Sequence, residues 1–247
     1  MNGFVSSAEV AAAAGLAVGG WVYAALWPAS QVFGKVVVAG RDPGEIALTY
    51  DDGPNTAATP QLLEVLARHG VRATFFLIGE FVRQQPGLAR EIVAAGHLVG
   101  NHTMTHPWLA WQSGARIRME MHDCNRRIED AIGQPVRLFR PPHGARRPAV
   151  FREARELGLD VIQWNVTAFD WNPPQGAEPH LPILNHINAG IARNRRKGRG
   201  SNVLLHDGGQ AGMGQPRLAS VRATELVIEA GKRDGSRFVT PDRWISI

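Results

Sequence analysis

Asp51 and Asp52 stand side by side in LTYDDGPN, where an apolar run breaks at Gly53 and Pro54. Like charges at the mouth of a buried strand repel, so their adjacency needs a reason. Further along, NHTMTHP sets His102 and His106 four positions apart. If that segment turns helically, both imidazoles share a face and can reach one ion. Taken alone the spacing is weak, and two unrelated surface histidines would look the same. A carboxylate from another strand end changes the weighting, because two imidazoles and one carboxylate make a three-ligand set with an open position, the arrangement of a catalytic zinc. On an extended chain the two aspartates point in different directions, so one can ligate while its neighbour stays free as a base. A divalent cation, zinc or alternatively cobalt, would offset their repulsion and lower the pKa of a bound water from near 16 toward about 7.

These groups need a scaffold that brings distant segments together. After Gly44 short β-rich runs alternate with helical ones: strands at EIALTY, ATFFLIG, HLVGNH, VRLFR, DVIQWNV, SNVLLH and SRFVT, each separated from the next by a helix-period segment. Alternation of this kind implies a parallel sheet, and seven strands favour a closed or nearly closed β/α barrel; an open sheet is the alternative. Five strand ends finish in chemistry: Asp51 with Asp52; His102 with His106; Arg140 with His143; Asp170 with Trp171; and His206 with Asp207. In a β/α barrel such ends face one rim, where active sites are assembled. That convergence is the argument for an enzyme.

The chain has 247 residues, 44% of them hydrophobic, enough for one α/β domain. We expect a hydrophobic N-terminal segment at 1–34 and a single domain at 35–247. From Val10 to Trp27 no residue is charged, which suggests a membrane anchor or uncleaved signal, with a helix docked on the domain as the alternative. The net charge is +5, and the one dense basic run, Arg193 to Arg199, reads first as a solvated helix end and second as an anionic contact surface. No nucleic-acid partner is expected. Cys124, the only cysteine, excludes an internal disulfide and reads as a packed core residue. His69, His97, His122, His180 and His186 read as structural or solvated.

TYDDGPN, HTMTH, RPPHG, FDW and LLHD stand in the order and approximate spacing of the five motifs of the NodB-homology polysaccharide deacetylases, carbohydrate esterase family four, and the likeness spans about residues 44 to 241. The resemblance implies a distorted (β/α)7-8 barrel and a metal-dependent hydrolase that removes N-acetyl groups from glycans. Asp51 resembles the catalytic base, and Asp52, His102 and His106 the metal ligands. Arg140 resembles the arginine that orients the base, His206 the general acid and Asp170 its carboxylate partner. Pro142, His143, Trp171 and Leu205 fall where substrate contacts are expected. Two positions depart from the family pattern: His143 replaces an aromatic, often Tyr, and Thr167 stands where many members carry another Asp.

The expected substrate is a GlcNAc-containing glycan, peptidoglycan or a chitin-like oligosaccharide, met in the cell envelope or outside the cytoplasm by a monomer. A small-molecule (cyclic) amidase of the same superfamily and a non-catalytic glycan-binding module are the alternatives. An intact set of base, three ligands and acid weighs against the last, because a binder has no need of Asp51 and His206 together.

Overall fold

In the computed structural model, which describes residues 7–172 and 176–245, the run EIALTY continues as strand β1 (Glu45–Gly53) through both aspartates, with all nine residues buried. Residues 1–6, 173–175 and 246–247, which belong to the expected N-terminal segment and domain, lie outside the described residues. β1 is the axis of a parallel sheet. One edge pairs with β7 (Ser201–His206); the other is shared by β8 (Arg237–Val239) beside its first residues and β2 (Thr74–Leu77) beside its last. Beyond β2 follow β3 (Leu98–Asn101), β4 (Leu138–Phe139) and β5 (Asp160–Val161), and beyond β7 lies β6 (Val166–Thr167). Central parallel strands are covered on both faces, which is why β1, β2 and β7 are buried almost throughout rather than at alternate positions.

The helices are α1 (Ser7–Leu26), α2 (Ala58–His69), α3 (Gly79–Gln84), α4 (Pro86–Ala94), α5 (Gly114–Ile132), α6 (Pro148–Glu156), α7 (His180–Arg196) and α8 (Leu218–Arg233). Their limits follow local chemistry. The Ser113 hydroxyl accepts from the Arg116 N–H at the start of α5, Gly133 ends that helix at φ 70°, and prolines occupy the first turns of α4 and α6. The helices that cover the sheet do so with apolar stripes, as with Leu62, Val65 and Leu66 of α2 and Ile117, Met121, Cys124 and Ile128 of α5. Fully burying a side chain such as Phe75 or Leu66 is worth about 1.5–3 kcal/mol.

The expected (β/α) architecture is present, with two differences. DVIQWNV is not one strand: it gives β5 and β6, which lie at opposite ends of the hydrogen-bonded path, so the eight strands form a strongly curved half-barrel. Residues 162–165 cross the gap. Gly79 does not end a strand either; it opens α3, which the sequence reading lacked.

α1 meets the domain at its C-terminal end. Ala24 and Ala25 are buried, Trp21 packs on Trp111 with ring centroids 4.8 Å apart, and the wholly buried Arg146 donates to the carbonyls of Trp27 and Ser30. Its backbone N–H caps the Ala25 carbonyl at 3.0 Å, so carbonyls at the helix end find partners in the domain. Among the described residues no helix is long and apolar enough to cross a membrane. The expected anchor over residues 10–27 is therefore without structural support. Its Ala and Gly content supplies too little apolar surface per residue.

Candidate active site

At the end of β1 the pairing register slips between Asp51 and Gly53, and Asp52 adopts φ 68°. Strict strand alternation would send Asp52 to the face opposite Asp51, but this bulge turns both carboxylates into one cavity. The expectation that extension alone would separate their duties is corrected accordingly. Gly53 is required at the next position, where a β-carbon would fall 2.5 Å from the Asp207 carboxylate oxygens.

The two imidazoles converge without a helix. Thr103 and His106 take positive φ values of 69° and 60°, and the turn is fixed by side chains rather than by helical hydrogen bonds. Asn101 Oδ1 accepts from the Thr103 N–H, Thr103 Oγ1 accepts from the His106 N–H, and the buried Glu120 accepts from both the N–H and the hydroxyl of Thr105. His102 is oriented further by its Nδ1, 2.7 Å from the Arg140 carbonyl. A carbonyl can only accept, so Nδ1 carries the proton and Nε2 presents a lone pair toward Asp52.

Asp52 Oδ1 lies 3.1 Å from His106 Nε2 and 3.5 Å from His102 Nε2, and the three ligand atoms fall within 4.8 Å of one another. Two atoms bound tetrahedrally at 2.0–2.1 Å stand about 3.3 Å apart, so these spacings suit one zinc-sized ion. Asp52 Oδ1 is buried and has no hydrogen-bond partner, as a ligand atom would be. Burial acts to raise the Asp52 pKa, and the facing imidazoles of His102 and His106 outweigh it, holding the carboxyl well below the usual range.

Asp51 is held separately. Its Oδ1 accepts from Arg140 Nη1 at 2.8 Å, while Oδ2 faces His102 Nε2 at 3.6 Å. Arg140 is fully buried, lies 4.2 Å over the Phe76 ring and also donates to Thr49 Oγ1 at 2.8 Å. Burial lowers its pKa and the Asp51 carboxylate works the other way.

β1 and β7 place Asp51 and His206 in register, side by side at the strand ends. His206 Nδ1 lies 2.8 Å from Asp170 Oδ1, and Asp170 Oδ2 accepts from the His206 N–H at 2.7 Å and the Ser220 hydroxyl at 2.6 Å. Burial opposes charge on this imidazole, but Asp170 first, then Asp52 and Asp51, raise its pKa to about 9. Neighbouring Asp207 stands apart: burial pushes its carboxyl up to about 7, it accepts from the Thr59 hydroxyl, and its N–H donates to the Asp51 carbonyl.

A cavity of about 500 Å³ gathers these groups. Asp51, Asp52, His102, His106, His143, Trp171 and His206 line it, while Arg140 and Asp170 reach it through Asp51 and His206. Pro142 is buried in the turn before Gly144 and does not line it. Leu205 does not either: alternation along β7 turns Leu204 and His206 to the cavity and Leu205 into the core. His143 stacks on Trp108 with centroids 3.9 Å apart at 11°, so a flat ring is kept where an aromatic is usual. Burial, then His106 and His102, lower its pKa to about 4. Thr167 accepts a hydrogen bond from Trp164 Nε1 at 3.1 Å.

Residues 39–162 match the family described as polysaccharide deacetylase. The chain belongs to the polysaccharide deacetylase family. It is 36% identical over 197 residues to a peptidoglycan-N-acetylglucosamine deacetylase of Bacillus cereus, covering 79% of this chain and 85% of that protein. To a chitooligosaccharide deacetylase of Azorhizobium caulinodans it is 35% identical over 179 residues, covering 72% and 80%. Among solved structures it resembles a family 4 acetyl xylan esterase from Clostridium thermocellum in complex with a cobalt ion, with a TM-score of 0.68, 28% identity and coverage of 82% and 90%.

This polysaccharide deacetylase domain also carries cavity residues that the sequence reading did not single out. Trp164, Gln210, Gln215 and Arg217 line the site. Trp164 was hidden inside a run read as continuous strand, and nothing in the spacing of the other three marks the loop that follows His206 as folding back.

Proposed function

We propose that this chain hydrolyses N-acetyl groups of GlcNAc-containing glycans, with Asp52, His102 and His106 holding a divalent cation. The observation that carries the reading is the division of labour between adjacent acids: Asp52 Oδ1 is shared by two imidazoles, while Asp51 is anchored to Arg140 and faces the same cavity as His206. The donor set of two nitrogens and one oxygen suits zinc, with cobalt as a substitute. When bound, the cation supplies positive charge at the amide oxygen and acidifies water.

The chain's own groups supply the rest. Asp51 Oδ1 is engaged by Arg140, leaving Oδ2 to take a proton as water adds to the acetyl carbonyl. An amine leaves poorly unless protonated. His206, with Nδ1 directed to Asp170 and a pKa near 9, keeps a proton at neutral pH to deliver from Nε2. One water and one amide give one acetate ion and one protonated amine, the proton taken by Asp51 balancing the one given by His206. Trp171, beside His206 with its ring 5.6 Å away, and Leu204 supply apolar walls for the acetyl methyl. One chain carries the complete set of base, ligands and acid, so a monomer would suffice for the reaction, and an envelope glycan would be met at the cell envelope.

The test is acetate release from GlcNAc oligomers, intact peptidoglycan and small cyclic amides, after chelation and after readdition of zinc or cobalt. Metal-dependent release from the glycans supports the proposal. Turnover confined to cyclic amides would replace it with a small-molecule amidase.

A further inference from the structure

His143 takes φ 57°, and Gly144 after it φ 67°. A residue other than glycine in this left-handed region is strained and persists only where its surroundings hold it. On the same turn, Pro142–Gly144, the His143 ring lines the active-site cavity with its centroid 4.6 Å from that of His106. Part of what holds the turn comes from α1, which precedes the residues matched to the family.

Two routes lead from α1 to the turn. The first is Arg146, wholly buried and paired with no carboxylate among the described residues. Its Nη1 donates to the Gly144 carbonyl at 2.7 Å, and its Nη2 to the carbonyls of Trp27 at 2.5 Å and Ser30 at 3.1 Å. The second runs through indoles. Trp21 of α1 packs on Trp111, the Trp111 N–H donates to the Trp108 carbonyl, and Trp108 stacks on the His143 ring. Between the routes Ala25 is buried against Ala110 and Ala145, three small side chains that seat the helix end close to both segments.

A tie for a helix end alone needs no ion. Keeping a guanidinium out of water without a counter-charge is costly, and a neutral amide could cap those carbonyls as well. What the planar five-donor fork adds is reach, since one side chain grips the turn and the segment after α1 together. Gln163 Nε2 also donates to the Gly144 carbonyl, at 3.3 Å, but from the domain side and with no link to α1.

We infer that Arg146 is a positioning residue for the deacetylation proposed above: by tying the end of α1 to the Gly144 carbonyl it fixes His143 as a wall of the reaction cavity, which makes the N-terminal helix part of the active site's support. The inference rests on that proposed reaction.

The full-length wild type, Arg146→Lys, Ala25→Leu and a core control, Ile128→Val, are compared by acetate release from a GlcNAc oligomer, per bound metal ion and well below each Tm. Lysine keeps the charge but not the fork, and leucine crowds the helix end from outside the turn. Arg146→Lys should lower kcat roughly ten- to hundredfold, the scale of a displacement of about 1 Å, with KM within about twofold. Ala25→Leu should show the same split at roughly three- to tenfold, and it decides the matter should Arg146→Lys not fold. Ile128→Val should lose Tm and keep kcat. An unchanged kcat in either folded variant, a loss confined to KM, or a matching loss of kcat in the control overturns the inference and leaves Arg146 a structural tie. If wild type releases no acetate, the proposed reaction fails. The spectrum of 13C-labelled histidine then decides the positioning by itself, with the His143 ring signal assigned by its loss in His143→Gln. A signal that moves in Arg146→Lys and Ala25→Leu but not in Ile128→Val upholds the inference, and a signal that stays in place overturns it.

Discussion

Replacing Asp170 by Asn should move the alkaline limb of the amide-cleavage profile without removing the cavity. The imidazole of His206 is raised from an ordinary 6.5 to about 9, with Asp170 the largest favourable cause after burial has worked against it. That difference corresponds to about 3 kcal/mol between the two protonation states. The surrounding hydrogen bonds decide how the amide would sit. Oδ2 must keep accepting from the His206 N–H and the Ser220 hydroxyl, so the Asn oxygen takes that place and its NH2 turns to Nδ1. A donor facing Nδ1 disfavours the imidazolium, and the pKa falls to about 6.5 or below. At pH 8 roughly nine-tenths of wild-type His206 is protonated, against about 3% in the variant, which gives a loss on the order of 30-fold. The sign follows from the role: a general acid must carry its proton, so wild-type activity declines as pH rises through about 9, and the variant's declines from about 6.5. At pH 6 the two enzymes should differ by less than about threefold.

The assay is acetate release from a GlcNAc oligomer across pH 5.5–10, paired with hydrolysis of an acetyl ester whose phenolate departs unprotonated. The ester should lose less than about threefold at pH 8, because its leaving group needs no acid. Equal losses on amide and ester, or an alkaline limb that stays near pH 9 in the variant, would refute the assignment of His206 as proton donor.

Asp51→Asn should retain bound metal by elemental analysis and lose turnover by roughly 10²- to 10⁴-fold, whereas Asp52→Asn should lose the metal itself. Metal loss in the Asp51 variant would mean the two acids have been assigned in reverse. Gly208→Ala would place a β-carbon 2.2 Å from the Asp52 carbonyl oxygen, with backbone as the obstacle. An overpacking cost of about 1–3 kcal/mol should lower Tm by roughly 2–12 °C and weaken metal binding, as read by thermal melting with and without zinc. An unshifted Tm would show that this loop yields freely.

Much of the site was legible because its residues stand at strand ends, and strand ends announce themselves locally. EIALTY and SNVLLH became β1 and β7, and parallel pairing alone then put Asp51 beside His206. Local pattern fails where a side chain's direction depends on a partner remote in sequence. The bulge at Asp52 depends on pairing with β2, and the positive φ values at Thr103 and His106 depend on Asn101 and Glu120. Neither leaves a mark in composition. Leu205 and Leu204 differ by one position, and only the register of β7 says which of them meets the cavity.

The break in DVIQWNV has the same origin and a larger consequence. Strand pairing ends at β5 on one side and β6 on the other; between them the N–H groups of Ile162, Gln163 and Asn165 donate to the backbone carbonyls of Phe139, Val37 and Asn202, while the carbonyls of Ile162 and Gln163 find their partners in side chains. Arg140 donates to the carbonyls of Ile162 at 3.4 Å and Gln163 at 3.3 Å, and Asn202 Nδ2 donates to the Gln163 carbonyl at 2.7 Å. The same guanidinium holds Asp51 Oδ1. Its five donors in a rigid fork let one residue both tie the open edge of the half-barrel and fix the neighbouring carboxylate, which a lysine at this position could not do. Closure of the fold and placement of the base are thus one structural requirement. A sequence with a continuous strand at 160–166 would pair those carbonyls along the sheet and leave Arg140 without two of the acceptors that aim it.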